Sequence, residues 1–197
     1  RVLEGVYREA GLPEAIRTDN GMPFVLPGRL RLSALSVWWM QLGIVHQRIA
    51  PGQPQQNGTH ERMHRELKRE TTRPAAATRR AQQQRFDAFR TRYNQVRPHE
   101  ALADATPASR WQSSPRPYPE RRRPPEYPAA MERRRVSGAG TISWSGRALF
   151  LSETLQGEDI GLEEVDDGIW NVVYYQTLLG RLDVRAGRLT RVYRRPW

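Results

Sequence analysis

The 197-residue sequence predicts an α/β part followed by a small all-β barrel. Three observations predict it. Within residues 1–110, helical apolar stripes alternate with two short strand patterns. From Thr141 onward, the runs TISW, RALFL, EDIGLEEV, GIWNVVYY, LGRLDVR and LTRVYR follow one another with Gly or Asp-Gly between them, the spacing of short antiparallel strands. The charge changes as well. Residues 1–110 hold 18 Arg/Lys against 10 Asp/Glu, residues 111–140 hold 7 against 3, and residues 141–197 hold 7 against 8. The basicity therefore belongs to the first part and the connection, and the barrel is near neutral.

Arg1 to Ala10 reads as a helix because Val2, Leu3, Val6 and Tyr7 recur on one face, and Gly11 and Pro13 stop it. Ala15 to Thr18 is short and extended and runs into Asp19-Asn20-Gly21, where Asn-Gly signals a turn. Leu30 to Leu42 reads as a buried helix ended by Gly43, with Trp38 and Trp39 as core. Ile44 to Ile49 alternates as a strand does and stops at Pro51-Gly52. Thr59 serves as N-cap for a helix to about Thr72, before Pro74. A second long helix covers Ala81 to Val96, with Phe86, Phe89 and Tyr93 as its stripe and Pro98 beyond its end. Ser113 to Pro128 is rich in Pro and Arg and reads as an extended linker. The expected domains are 1–111, a linker over 112–135, and 136–197.

The net charge is +11, and Lys68 is the only lysine. Arginine forks bind phosphate bidentately, so the bias suits a polyanion; it equally suits a GC-rich coding sequence. No cysteine is present, which excludes disulfides and cysteine-based zinc sites. No apolar run approaches the roughly 20 residues of a membrane span, and no signal peptide opens the chain. The expectation is a soluble, cytoplasmic, nucleoid-associated protein facing nucleic acid, with no membrane partner.

The stretch QPQQNGTHERMHRELKRE, Gln53 to Glu70, carries the chemistry. Glu61 falls in the first helical turn, where the dipole and free N–H groups favour an ionised carboxylate. Such a carboxylate is a ligand for Mg²⁺ or Mn²⁺. His64, Arg65 and Lys68 follow on the same face. Asp19 closes a short strand and opens a tight turn, so it is the natural second carboxylate for a divalent metal. An acid within a basic helix is more commonly half of an i,i+4 pair. Glu66, beside Arg62 or Arg69, and Glu70, beside Arg73, fit that simpler role.

The segments IRTDNG (Ile16–Gly21), PGQPQQNGTHERMHRELKRE and RYNQVRPHEALADATPASRW (Arg92–Trp111) occur in the order of DDE transposases. Together they resemble insertion-sequence transposases with a retroviral-integrase-type catalytic core, over about residues 1–111. That resemblance implies a partial RNase H-like integrase core followed by the barrel that some members append. It implies metal-dependent cleavage and strand transfer at transposon ends. Asp19 matches the second acidic position and Glu61 the third, both ligands of catalytic Mg²⁺ (or Mn²⁺). Lys68 matches the basic residue that touches transposon-end DNA. Arg62, His64, Arg65, Asn57 and Arg97 are further DNA-contact candidates, and Asn20, Gly21 and Gly58 shape the site. The partners implied are DNA, both transposon ends and target, and further copies of the chain.

Two departures stand out. Forty-one residues separate Asp19 from Glu61, longer than the family's interval, and the excess is assigned to LPGRLR, Leu26–Arg31. The first acidic position has no match, since Glu4, Glu9 and Glu14 lie in no strand pattern. The expectation is a C-terminal part of a transposase, inactive alone. The alternative is a non-catalytic DNA-binding remnant or a regulator of a full-length enzyme.

His60 and His64 have zinc-type spacing but no third ligand, which favours a structural or DNA-facing role. Arg97 and His99 either contact DNA or fix the chain after the second long helix. The clusters Arg121–Arg123 and Arg133–Arg135 read as solvated and as phosphate contacts. The late arginines Arg181, Arg185, Arg188, Arg191, Arg194 and Arg195 form either a DNA or a partner face.

Overall fold

The computed structural model describes residues 2–50, 53 and 58–192. The chain forms two compact units, one of residues 1–49 with 116–197, the other of residues 50–115.

In the first unit, α1 (Val2–Ala10) leads to β1 (Ala15–Thr18), α2 (Ala34–Gln41) and β2 (Val45–Arg48). β1 and β2 pair in parallel with Ala15 opposite Val45 and Thr18 opposite Arg48. The expected helix over Leu30–Leu42 is shorter, because Ser33 starts it with a reciprocal cap: Ser36 N–H donates to Ser33 Oγ, and Ser33 N–H to Ser36 Oγ. Leu30 and Leu32 are nonetheless buried, ahead of the helix. Tyr7, Leu12, Trp39, Leu42 and Ile44 form one core, in which Trp39 Nε1 donates to the Tyr7 hydroxyl at 2.8 Å. Both tryptophans join it, as expected, with Trp38 partly buried.

The C-terminal strands are β3 (Glu132–Arg135), β4 (Thr141–Trp144), β5 (Arg147–Phe150), β6 (Asp159–Asp166), β7 (Ile169–Tyr174), β8 (Thr177–Asp183) and β9 (Arg188–Thr190). Alternation and Gly-marked turns make β4 to β9, as expected. They do not close into a barrel: among the described residues β3-β6-β7-β8-β9 is an open antiparallel sheet, and β4-β5 is a separate hairpin. The hairpin instead sends Ile142 and Leu149 into the core that the sheet also builds, with Leu151, Leu155, Ile160, Leu162, Val172 and Tyr174. Leu30, Leu32, Val37 and Met40 belong to that same core. Strand periodicity placed none of those four there, since it reads each segment alone.

The Pro/Arg-rich connection is extended, yet it is fastened. Arg116 donates to the carbonyls of Pro13 (3.1 Å), Leu42 (2.8 Å) and Gly43 (3.0 Å). Tyr127 lies on Gly161, where a Cβ would stand 2.6 Å from its ring, and donates its hydroxyl hydrogen to Asp159 O at 2.8 Å. Burial pushes that phenol up to about 12. Arg133–Arg135, expected to be solvated linker, form β3. The reason is Asp159, which pairs with Arg133 at 2.5 Å and Arg135 at 3.4 Å. Burial alone would raise the Asp159 pKa, but the two guanidinium groups hold it below the usual value. Arg134 lies over the Trp144 ring at 5.6 Å.

The second unit is helical: α3 (Gly58–Thr71), α4 (Arg79–Thr91) and α5 (Pro107–Arg110), with a π turn over Arg92–Val96 extending α4. Thr78 caps α4, its Oγ1 accepting from Ala81 N–H at 3.2 Å. Thr59 lies inside α3 and is not its cap, because the helix starts at Gly58; the residue before it lies outside the described residues. No helix among the described residues is long and apolar enough to cross a membrane.

Candidate functional site

α3 has two chemically opposite faces. Successive residues turn by about 100°, so Met63, Glu66, Leu67 and Glu70 share one side, with the buried Thr71 at its edge. These are its more covered residues, except that Glu70 keeps only its side chain partly covered, at 25% exposure. They face α4 and its π turn, whose Phe89 is buried. Glu61, His64, Arg65 and Lys68 occupy the opposite side, and all four are exposed. Arg62 is exposed on the flank between.

The packed side is held by ion pairs that spacing within the helix did not foretell. Glu66 takes both ends of the Arg97 guanidinium, with Nη2 to Oε1 at 3.2 Å. Glu70 pairs with Arg92, and with Arg69 at 3.6 Å. The partners expected from i,i+3 and i,i+4 spacing, Arg62 or Arg69 for Glu66 and Arg73 for Glu70, are thus replaced by residues about 20 to 30 positions away. The helices run antiparallel, so the earlier glutamate meets the later arginine. The π turn, closed by Arg97 N–H to Arg92 O at 2.9 Å, brings both arginines to α3. Arg97 also lies 5.7 Å over the Tyr93 ring, and His99 meets that ring edge-on at 4.6 Å. Of the two roles open to Arg97 and His99, these contacts are those of fixing the chain.

Replacing Glu66 by Gln is expected to cost about 1–2 kcal/mol, the low end for a charge-assisted pair because Arg97 is partly exposed. Hydrogen exchange along α3 checks it. The swapped pair Glu66→Arg with Arg97→Glu should recover most of the protection. Unchanged exchange in the single variant would show that the pair does not hold α3.

On the open side, Glu61, Arg62, Arg65 and Lys68 make no ion pair among the described residues. His60 and His64 have ring centroids 4.1 Å apart. Burial, then His60 and Lys68, holds the His64 pKa below its ordinary value, which favours its neutral form. No group of three His, Asp or Glu able to hold a metal occurs among the described residues, which leaves the histidine pair without a third ligand. Asn57 lies outside the described residues, as do Arg194 and Arg195.

Asp19 belongs to the other unit. It follows β1 and is exposed, and its Oδ1 accepts from Gly21 N–H at 2.8 Å. Asn20 Nδ2 donates to Ile49 O at 2.9 Å, tying the turn to the chain beyond β2. Thr18 Oγ1 donates to Asp19 O at 2.8 Å and so spends its one hydrogen. The 2.8 Å contact between His46 Nε2 and Thr18 Oγ1 therefore has the imidazole donating. His46 is pulled down to about 4 by burial, then by Arg48 and Arg191, which keeps it neutral. The sequence pattern marked Asp19 but not this support, because a histidine on a strand carries no local sign of its cross-strand partner.

Residues 42–107 match the integrase core domain family, a segment that includes α3 and the RYNQVRPHEAL stretch. The chain is 35% identical over 109 residues to the insertion element IS476 uncharacterized 39.2 kDa protein of Xanthomonas euvesicatoria, covering 55% of this chain and 30% of that protein. The chain thus spans about a third of that relative's length. It is also similar to a chain in the cryoEM structure of the simian T-cell lymphotropic virus intasome in complex with PP2A regulatory subunit B56 gamma. The identity is 16%, 97% of this chain and 62% of that chain are covered, and the TM-score is 0.43.

Proposed function

We propose, for a chain that carries an integrase-core segment of the insertion-element type, that it is part of a DDE transposase, and that the open face of α3 meets transposon-end DNA. The observation that carries the reading is the segregation of α3: Glu61, His64, Arg65 and Lys68 on one exposed side, and the packing residues and their ion pairs on the other. Lys68, Arg65 and Arg62 act on phosphate by charge, and Arg adds a planar fork. His64 and Asn57 are further contacts. Arg97 acts there only if its pair with Glu66 opens.

The donor chemistry of Asp19 and Glu61 fits a hard cation. Both are exposed carboxylates, Glu61 takes no cation among the described residues, and Asp19 keeps Oδ2 beyond its turn hydrogen bond. In the intact enzyme these two would hold Mg²⁺ or Mn²⁺. A bound metal there supplies charge stabilisation to the attacking and leaving oxygens of phosphoryl transfer. In that enzyme water cleaves the transposon end and the freed 3′-OH attacks target DNA. Family resemblance adds self-association, an RNase H-like core over 1–111 and a DNA-facing role for the whole. The expected connection, 112–135, ends inside the β module of 136–197, because β3 (Glu132–Arg135) belongs to its sheet.

A second reading has its own observation: no third acid joins Asp19 or Glu61 in a metal-holding group among the described residues. By itself this chain is then a DNA-binding module, a remnant or a regulator of a full-length enzyme. Incubating the 197-residue chain with supercoiled plasmid and Mg²⁺ or Mn²⁺ separates the two. The expected result is salt-sensitive binding without nicking. Metal-dependent nicking lost in Asp19→Asn would overturn the inactivity, and no binding at low salt would overturn the DNA interface.

A further inference from the structure

A groove of about 580 Å³ lies in the first unit between Arg29 and residues 186–191. Its lining holds three arginines, Arg29, Arg188 and Arg191, and neither an acidic nor an aromatic residue. Both walls are held. Arg29 sits in LPGRLR, Leu26–Arg31. Leu30 and Leu32, at 2% and 5% exposure, sink into the core shared with Leu149 and Leu189. Thr154 Oγ1 donates to Leu32 O at 3.2 Å, and Arg48 Nη2 to Arg31 O at 3.1 Å. Gly28, at φ +129°, permits the turn that lifts Arg29 into solvent. Opposite, Asp183 Oδ1 accepts from Arg185 N–H at 3.0 Å and Ala186 N–H at 2.9 Å, fixing the turn before β9. Arg185 is spent on Asp167, whereas Arg29 and Arg188 make no ion pair among the described residues.

We propose that this groove is a second, sequence-independent contact for the nucleic-acid phosphate backbone, created when the LPGRLR loop docks against β9. Guanidinium groups on fixed walls suit phosphate. The groove offers no aromatic platform for base stacking; a guanidinium fork also fits a guanine edge, so equal behaviour on unrelated duplexes is what marks a phosphate contact. The proposal rests on DNA being the partner.

The test measures binding of the full chain to two unrelated duplex oligonucleotides across a salt series. The exposed pair Arg29→Ala with Arg188→Ala should reduce the slope of log affinity against log salt by about two, one per lost phosphate contact, equally on both duplexes. Arg29→Lys with Arg188→Lys should restore most of it. An unchanged slope with wild-type binding intact overturns the groove alone, as does inorganic phosphate displacing the duplex at matched ionic strength. Absence of wild-type binding overturns the DNA reading with it.

Discussion

Changing Arg62, Arg65 and Lys68 together to alanine is expected to remove a large part of DNA affinity and to lower the salt slope by about three. The loss should be uniform across sequences, because phosphate contacts position the duplex and carry no base code. The fold should survive. All three side chains are exposed and make no ion pair among the described residues, and alanine is the best helix former. Far-ultraviolet circular dichroism of the variant should therefore match wild type. Glu61→Gln goes the other way: without metal, removing a negative charge from the cation face should tighten binding. An unchanged salt slope in the triple variant would place the DNA elsewhere. Weaker binding by Glu61→Gln would mean that this carboxylate is not simply one charge amid cations.

The largest stability effect is expected at Gly140. Its φ is +72°, and a Cβ there would stand 2.6 Å from Glu153 N and 2.6 Å from Ser152 C. Those are backbone atoms and cannot swing aside. Gly140 O also accepts from Leu151 N–H at 2.9 Å and Ser152 N–H at 3.1 Å, so the loop cannot retreat without losing both. Gly140→Ala should cost about 2–4 kcal/mol, left-handed strain plus overpacking, against a typical total of about 5–15 kcal/mol. Gly146 is the internal control, with φ +77° and nothing within 4 Å of the added Cβ. There only the strain remains, about 1–2 kcal/mol. Chemical denaturation followed by tryptophan fluorescence measures both. Equal costs at the two positions would show that the close approach at Gly140 relaxes freely.

Several features were legible in the chain itself. The face of α3 was, since Glu61, His64, Arg65 and Lys68 lie within two turns and helical geometry alone aligns them. So were β1, β2 and the strands from Thr141 onward, whose alternation and Gly-marked turns are local. Two expected boundaries moved: the Ser33 cap starts α2 later than its apolar run, and α3 starts at Gly58, before Thr59. The site was legible as residue types but not as support. Thr18 and His46 beneath Asp19, Glu66 with Arg97, and Glu70 with Arg92 each join segments far apart in sequence.

Local pattern therefore determined the helices, the strands, the cationic face and the two candidate carboxylates, because propensity and periodicity act within a few residues. Tertiary structure decided the rest. An open sheet with a separate hairpin replaced the expected barrel, since the strands pair with partners that periodicity cannot name. Arg133–Arg135 became a strand because Asp159, far along the chain, offers a buried counter-charge. LPGRLR became one wall of an arginine groove because Leu30 and Leu32 found apolar cover among the C-terminal strands. In each case a side chain gained its partner only on folding, where burial and charge pairing act at short range in space between residues distant along the chain.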